Sequence, residues 1–187
     1  MVIRDEVLPA LIFFNEEEAR IVEAMTARII PGSPGNPGAK EAGAINYIDR
    51  ALAGFFSPLQ TFYREGIAEF DRLSRSRFGS GFLGLSESQQ NDFLRSIEGS
   101  LGDERLGKIS QFFAVVYQHT LEGTFGDPIY GGNRDGVGWK MVGFPGAQWS
   151  YSPEQMKLGF DASQLDIATL GDLQPSSPLP SAKGAKQ

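Results

Sequence analysis

The chain has 187 residues, of which 41% are hydrophobic and 21% charged, enough to build one domain around a real core. Its formal net charge of −6 argues against nucleic acid, which needs a concentrated basic face, and no apolar run approaches the ~20 residues of a membrane-spanning helix. It contains no cysteine, which excludes disulfides, thiolate zinc sites and cysteine-ligated iron–sulfur clusters within the chain.

The opening stretch MVIRDEVLPALIFF is apolar in part, but Asp5 and Glu6 interrupt it and no small-residue cleavage site follows, so it does not read as a signal peptide. Asn15 followed by Glu16, Glu17 and Glu18 marks a helix start: an Asn cap, a capping-box glutamate, and carboxylates at the positive helix end. Ala19, Val22, Met25 and Ile29 then recur at helical spacing until Pro31. PGSPGNPGAK, 31–40, is punctuated by proline and glycine throughout and cannot be regular structure. A second helix is predicted from about Glu41 to Phe55, and a third opens at Ser57-Pro58 with Leu59, Phe62, Tyr63, Gly66, Ile67 and Phe70 on its apolar side. Ser86 and Gln89 repeat the capping-box pattern for a fourth, and Leu106, Ile109, Phe113, Val116 and Thr120 define a fifth from Asp103 to about Glu122. After Gly126-Asp127-Pro128 the periodicity disappears. The expectation is an all-α fold: a single domain over 1–174 with about five main helices and a long irregular glycine-rich C-terminal segment. A polar tail rich in proline and serine follows over 175–187.

Several stretches imitate chemical motifs. Gly79-Ser80-Gly81-Phe82-Leu83-Gly84 matches the dinucleotide fingerprint in letters, but a helical segment precedes it where a strand is needed, so it reads as a helix stop. Gly102-Asp103-Glu104-Arg105-Leu106-Gly107-Lys108 approaches a phosphate loop, yet Ile109 stands where a magnesium-binding hydroxyl belongs and two acids would repel phosphate. His119, the one histidine, could act as a general base with Asp127 or Asp135, or simply sit at a helix end. Asp127, Asn133 and Asp135 offer hard oxygens without calcium-loop spacing; Asx residues in glycine turns usually bond their own backbone. No catalytic residue, cofactor site or metal site is assigned within the chain.

FGDPIYGGNRDGVGWKMVGFPG, 125–146, lacks both the strand and the helix of a phosphate loop. Its glycines permit tight turns and close backbone approach, and Tyr130, Trp139, Phe144 and Trp149 alternate with them. Two readings stand. These aromatics either tuck back onto the domain's own helices or serve as interface anchors. In the second reading Tyr130, Asn133, Trp139, Lys140, Phe144 and Pro145 form a docking surface, with Trp139 as anchor, Lys140 as a rim charge and Gly143-Phe144-Pro145-Gly146 as a fixed turn.

RIIPGSPGNPGAKEAGAINYID, 28–49, and TLEGTFGDPIYGGNRDGVGWKMVGFPG, 120–146, resemble the gluconate 2-dehydrogenase subunit 3 family. The ordered set IIP, PGA-x-EAG, YID, DP-x-YGGN, GWK and GFPG carries the resemblance, which extends from Phe13 to about Gly146. It implies a mostly helical, non-catalytic small subunit that stabilises, matures and escorts a large catalytic subunit of a bacterial sugar, sugar-acid or polyol dehydrogenase. It further implies that the FAD belongs to that large partner, that electrons usually leave through a cytochrome c subunit, and that the complex is periplasmic. Export in the family typically uses a twin-arginine signal, which MVIRDEV lacks. The competing classes are an autonomous enzyme using His119 and a small-molecule-binding helical domain built around the glycine segment.

Overall fold

A computed structural model describes residues 10–98 and 107–173. Six α-helices follow one another: α1 (Glu16–Ile29), α2 (Ala44–Ala53), α3 (Gln60–Phe78), α4 (Glu87–Glu98), α5 (Gly107–Phe125) and α6 (Val137–Val142). Short 3₁₀ turns lie at Ser57–Leu59, Phe82–Gly84, Pro128–Tyr130, Arg134–Gly136 and Ala162–Gln164. Among the described residues there is no strand, only the isolated bridges Ser33–Asn36 and Gly146–Ala168. The fold is all-α. The expected tail over 175–187 lies outside the described residues, as does the expected start of the fifth helix at Asp103.

Local chemistry sets the helix ends. Asn15 Oδ1 accepts from the Glu18 amide at 2.9 Å and the Asn15 amide donates back to Glu18 Oε2 at 3.0 Å, which closes the capping box of α1. Ser86 and Gln89 exchange the equivalent pair at the start of α4. Gly79, at φ 74°, ends α3, so the fingerprint lookalike is a helix stop followed by a 3₁₀ turn. Helix α2 is shorter than the predicted 41–55. Gly43 has φ 67° and cannot extend the helix backwards, while Gly54 leaves it at φ −121°, ψ −108°.

The 31–40 loop is irregular but closed on itself. Ser33 and Asn36 exchange backbone hydrogen bonds of 2.7 and 2.8 Å around Pro34-Gly35, with Gly35 at φ 81°, a proline-glycine turn. The Ala39 amide then reaches back to the Ile30 carbonyl at 2.9 Å.

Helix α5 is the centre of the domain. Helices α1, α2, α3 and α4 pack around it, and α6 packs against it as well. Phe70 of α3 lies 4.8 Å from Phe82 and 4.9 Å from Phe93 between ring centroids, and Tyr63 lies 5.5 Å from Phe112 edge-to-face. All five rings are fully buried. The segment ahead of α1 is tied down by charge. Asp49 of α2 is buried, and its carboxylate accepts from the amides of Ile12 (2.7 Å), Phe13 (3.0 Å) and Phe14 (2.9 Å). Arg64 of α3 donates to the Phe13 carbonyl at 2.8 Å and pairs with Glu18. One carboxylate and one guanidinium thereby hold the chain's entry to α1 against α2 and α3.

Gly66 faces the Phe112 ring so closely that a Cβ there would overlap it. Phe112 is fully buried and has nowhere to retreat. Gly66→Ala should therefore lower the unfolding free energy by about 1–3 kcal/mol, the usual cost of overpacking, measured by urea denaturation. Unchanged stability would show that the α3–α5 contact is loose.

Candidate partner interface

The last carbonyls of an α-helix have no partner inside the helix. At the end of α5 the segment after it supplies them. The Gly126 amide donates to Glu122 O and the Asn133 amide to Gly123 O, each at 2.7 Å, and the Trp139 indole Nε1–H donates to Phe125 O at 2.7 Å. The backbone beside these donors comes this near only because it carries no side chain. A Cβ on Gly132 would overlap the Gly123 carbonyl, and one on Gly138 would overlap the Thr124 carbonyl. The glycines are there for contact with α5.

Asn133 holds the segment's shape. It is fully buried in the left-handed region at φ 44°, ψ 44°, where asparagine is tolerated better than most residues. Its Nδ2 donates to Gly126 O at 2.8 Å and its Oδ1 accepts from the Gly138 amide at 2.7 Å, which fixes the start of α6. The neighbouring Arg134 amide donates to Ala42 O at 2.9 Å, joining the segment to the approach to α2. Asp127 accepts from the Ile129 amide with one oxygen and the Leu170 amide with the other. Among the described residues no three His, Asp or Glu side chains are grouped to hold a metal ion.

The six residues expected on a docking surface therefore divide. Asn133, Trp139 and Pro145 are buried, whereas Tyr130, Lys140 and Phe144 are exposed. Trp139, as a solvent-facing anchor, needs correcting. It is 4% exposed, its ring meets Phe144 edge-to-face at 5.3 Å, and it lies so near Gly146 that a Cβ there would stand 2.6 Å from Cζ3. The cause is the unpaired Phe125 carbonyl, which the indole N–H satisfies. Pro145 is held in its turn by residue 168: Ala168 donates to Pro145 O at 3.1 Å, and the Ala147 amide donates to Ala168 O at 2.7 Å.

Beside the exposed Arg134, Asp135 and Lys140, this segment exposes several large apolar side chains. Ile129 and Tyr130 are exposed, followed by Met141, Val142 and Phe144 at the end of α6. Trp149 (79% exposed) and Leu158, fully exposed, continue the series. Sequence does not single out Met141 and Val142, because a six-residue helix is too short to display a period, nor Leu158, which lies in an irregular stretch with no period at all. Their concentration in residues 129–158 makes this segment the candidate interaction surface.

His119 is not in a cleft. It is buried in α5, with Nδ1 2.8 Å from Tyr63 Oη, and its ring is stacked on Phe56 at 4.5 Å. Its polar partner is Tyr63 rather than Asp127 or Asp135. Burial pushes the imidazole below its ordinary 6.5, partly offset by the negative Glu122. Burial also raises the Tyr63 and Tyr47 hydroxyls, Tyr47 further through its 2.6 Å hydrogen bond to Glu122, so both remain phenols. A concavity lined by Ile12, Phe13, Ala53, Gln60, Thr61 and Arg64 includes none of residues 126–146.

Two outcomes are expected of the chain alone. Trp139→Ala should cost about 3–5 kcal/mol of stability, as large aromatic truncations in cores do; a mutant melting like its parent would mean that the indole is not packed. The histidine sets a pH dependence. Above about 6.5 both folded and unfolded chains hold it neutral and its contribution is intact. As the pH falls below that value the unfolded chain takes up a proton the folded chain resists, so stability declines until the depressed folded value is reached. His119→Gln should flatten this slope between neutral pH and about pH 5 in denaturant titrations. A slope that survives the substitution would belong to other groups.

The family model described as gluconate 2-dehydrogenase subunit 3 matches residues 16–146. No curated protein and no solved structure matches the chain. The matched span runs from the first residue of α1 to the glycine under the Trp139 ring, and so takes in the helical core together with the segment that caps α5. With most of its length covered by that match, the chain belongs to the gluconate 2-dehydrogenase subunit 3 family.

Proposed function

We propose that this protein is a non-catalytic small subunit that stabilises and matures the FAD-containing catalytic subunit of a bacterial sugar or sugar-acid dehydrogenase. Family membership implies a catalytic partner. The observation that carries the docking reading is the contrast across residues 126–146. The Asn133 amide and the Trp139 indole bond carbonyls of α5 and the Asn133 side chain bonds the segment itself, while Ile129, Tyr130, Met141, Val142 and Phe144 remain exposed. A surface held by its own hydrogen bonds loses little conformational freedom on docking, which favours association. The buried His119 and the engaged Asp127 support a role without chemistry of its own. In this reading the flavin resides in the partner, electrons leave through a cytochrome c subunit, and the chain accompanies its partner to the periplasm. No described helix is long and apolar enough to cross a membrane, and in this reading the complex attaches to the membrane through another subunit.

The direct test is production of the catalytic subunit with and without this chain. Without it, the catalytic subunit should be largely insoluble or lack flavin; equal yields of active flavoprotein would defeat the proposal. At the interface, Tyr130→Ala and Trp149→Ala should each weaken association about thirtyfold if the residue is an anchor of ~2 kcal/mol. Their exposure predicts little change in the melting of the chain alone. Affinities equal to the parent's would place the contact elsewhere.

A further inference from the structure

At the seam between α2 and the glycine segment, Arg50 and Arg134 have no hydrogen-bonded or ion-paired side-chain partner among the described residues. Gly43, Asn46, Tyr47 and Arg50 recur at the spacing of one helical face. At one end the Arg134 guanidinium lies over Gly43 beside Asn46: a Cβ on Gly43 would stand 3.1 Å from Arg134 Nη2 and 3.0 Å from Asn46 Nδ2. At the other end the Arg50 guanidinium lies over Gly131, where a Cβ would stand 2.9 Å from Nη1. Tyr47 sits between them with its hydroxyl already given to Glu122. Both arginines are exposed. Every other arginine among the described residues holds a carboxylate or, for Arg77, the Ser96 hydroxyl. Arg50 and Arg134 hold neither, in a chain with 23 acidic residues against 17 Lys and Arg.

We infer that Arg50 and Arg134 are a guanidinium pair that receives two carboxylates from the surface of the catalytic subunit. The inference rests on the docking reading above and deepens it, since Tyr130, next to Gly131, joins the seam to the apolar face. The fork of an arginine matches a carboxylate in two parallel hydrogen bonds. The seven steps from Gly43, which precedes α2, to Arg50 rise ~10 Å along the helix axis, so the two carboxylates should be roughly that far apart. A partner surface bearing them meets repulsion from most of this acidic chain and attraction at this seam. That asymmetry selects one orientation.

The test uses the full chain and the flavoprotein that copurifies with it, with affinity measured at low and at physiological salt. Arg50→Gln and Arg134→Gln should each weaken binding about tenfold at low salt, and the double variant about a hundredfold. The double variant should also show a flattened salt dependence, with melting of the chain alone unchanged. Arg50→Lys with Arg134→Lys should keep the salt dependence while losing part of the affinity. Binding as tight as the parent's, or weaker binding with an undiminished salt slope, overturns the clamp while the apolar docking face stands. Sedimentation of the chain alone covers a second copy as the occupant: self-association lost in the double variant, with flavoprotein binding intact, overturns the inference. If the parent chain binds no flavoprotein, the docking reading itself fails and the clamp with it.

Discussion

The C-terminal end of α5 governs the rest of the structure. A helix that ends inside a protein must find donors for its last carbonyls, since water cannot reach them. Here the donors come from the segment that follows, and they can reach only where no Cβ intervenes. Gly132 and Gly138 lie directly on the Gly123 and Thr124 carbonyls. Once they are in place, Asn133 enters the left-handed region, α6 starts, and the Trp139 indole is aimed at Phe125 O. Gly123 itself must also be bare, because a Cβ there would stand 2.9 Å from the Ala44 carbonyl. Helix α2, α5 and the glycine segment are thus mutually dependent at the level of the backbone.

The residues with chemical potential are taken up by this construction. His119 is stacked on Phe56 and bonded to Tyr63; Asp49 receives three backbone amides; Asp127 and Asn133 bond the segment they belong to. Burial of a histidine without a carboxylate partner favours its neutral form, which suits a core and gives no proton at a surface. The ordered motifs of the chain have the same character. PGA-x-EAG closes the 31–40 loop and leads into α2, YID supplies the carboxylate that holds the N-terminal segment, and YGGN with GWK completes α5. These motifs describe a shape.

That surface has two chemistries. The outer side of residues 129–144 presents apolar side chains from short, well-braced elements, and the seam with α2 presents two guanidiniums. Apolar anchors supply affinity without much orientation, whereas charge placement governs encounter and register. The proposed partner-facing side rests on these two features together.

The helical core was legible in the sequence because its signals are local. Asn15 with Glu18 and Ser86 with Gln89 announce helix starts through bonds that span three residues, and the apolar period of residues 59–70 needs no knowledge of what it packs against. The irregular character of 31–40 follows from proline and glycine alone. The glycine segment shows the limit. Its composition established that the backbone turns tightly and approaches something, and sequence left two targets open, another protein or the domain's own helices. Only tertiary structure decided between them for each residue: Trp139, Asn133 and Pro145 turn inward, while Tyr130, Lys140 and Phe144 face out. The reason is that the deciding partners, the carbonyls of Gly123, Thr124 and Phe125, are backbone atoms. Every residue has one, so no pattern of side chains along the chain can show which carbonyls are left unpaired or where a glycine will meet them.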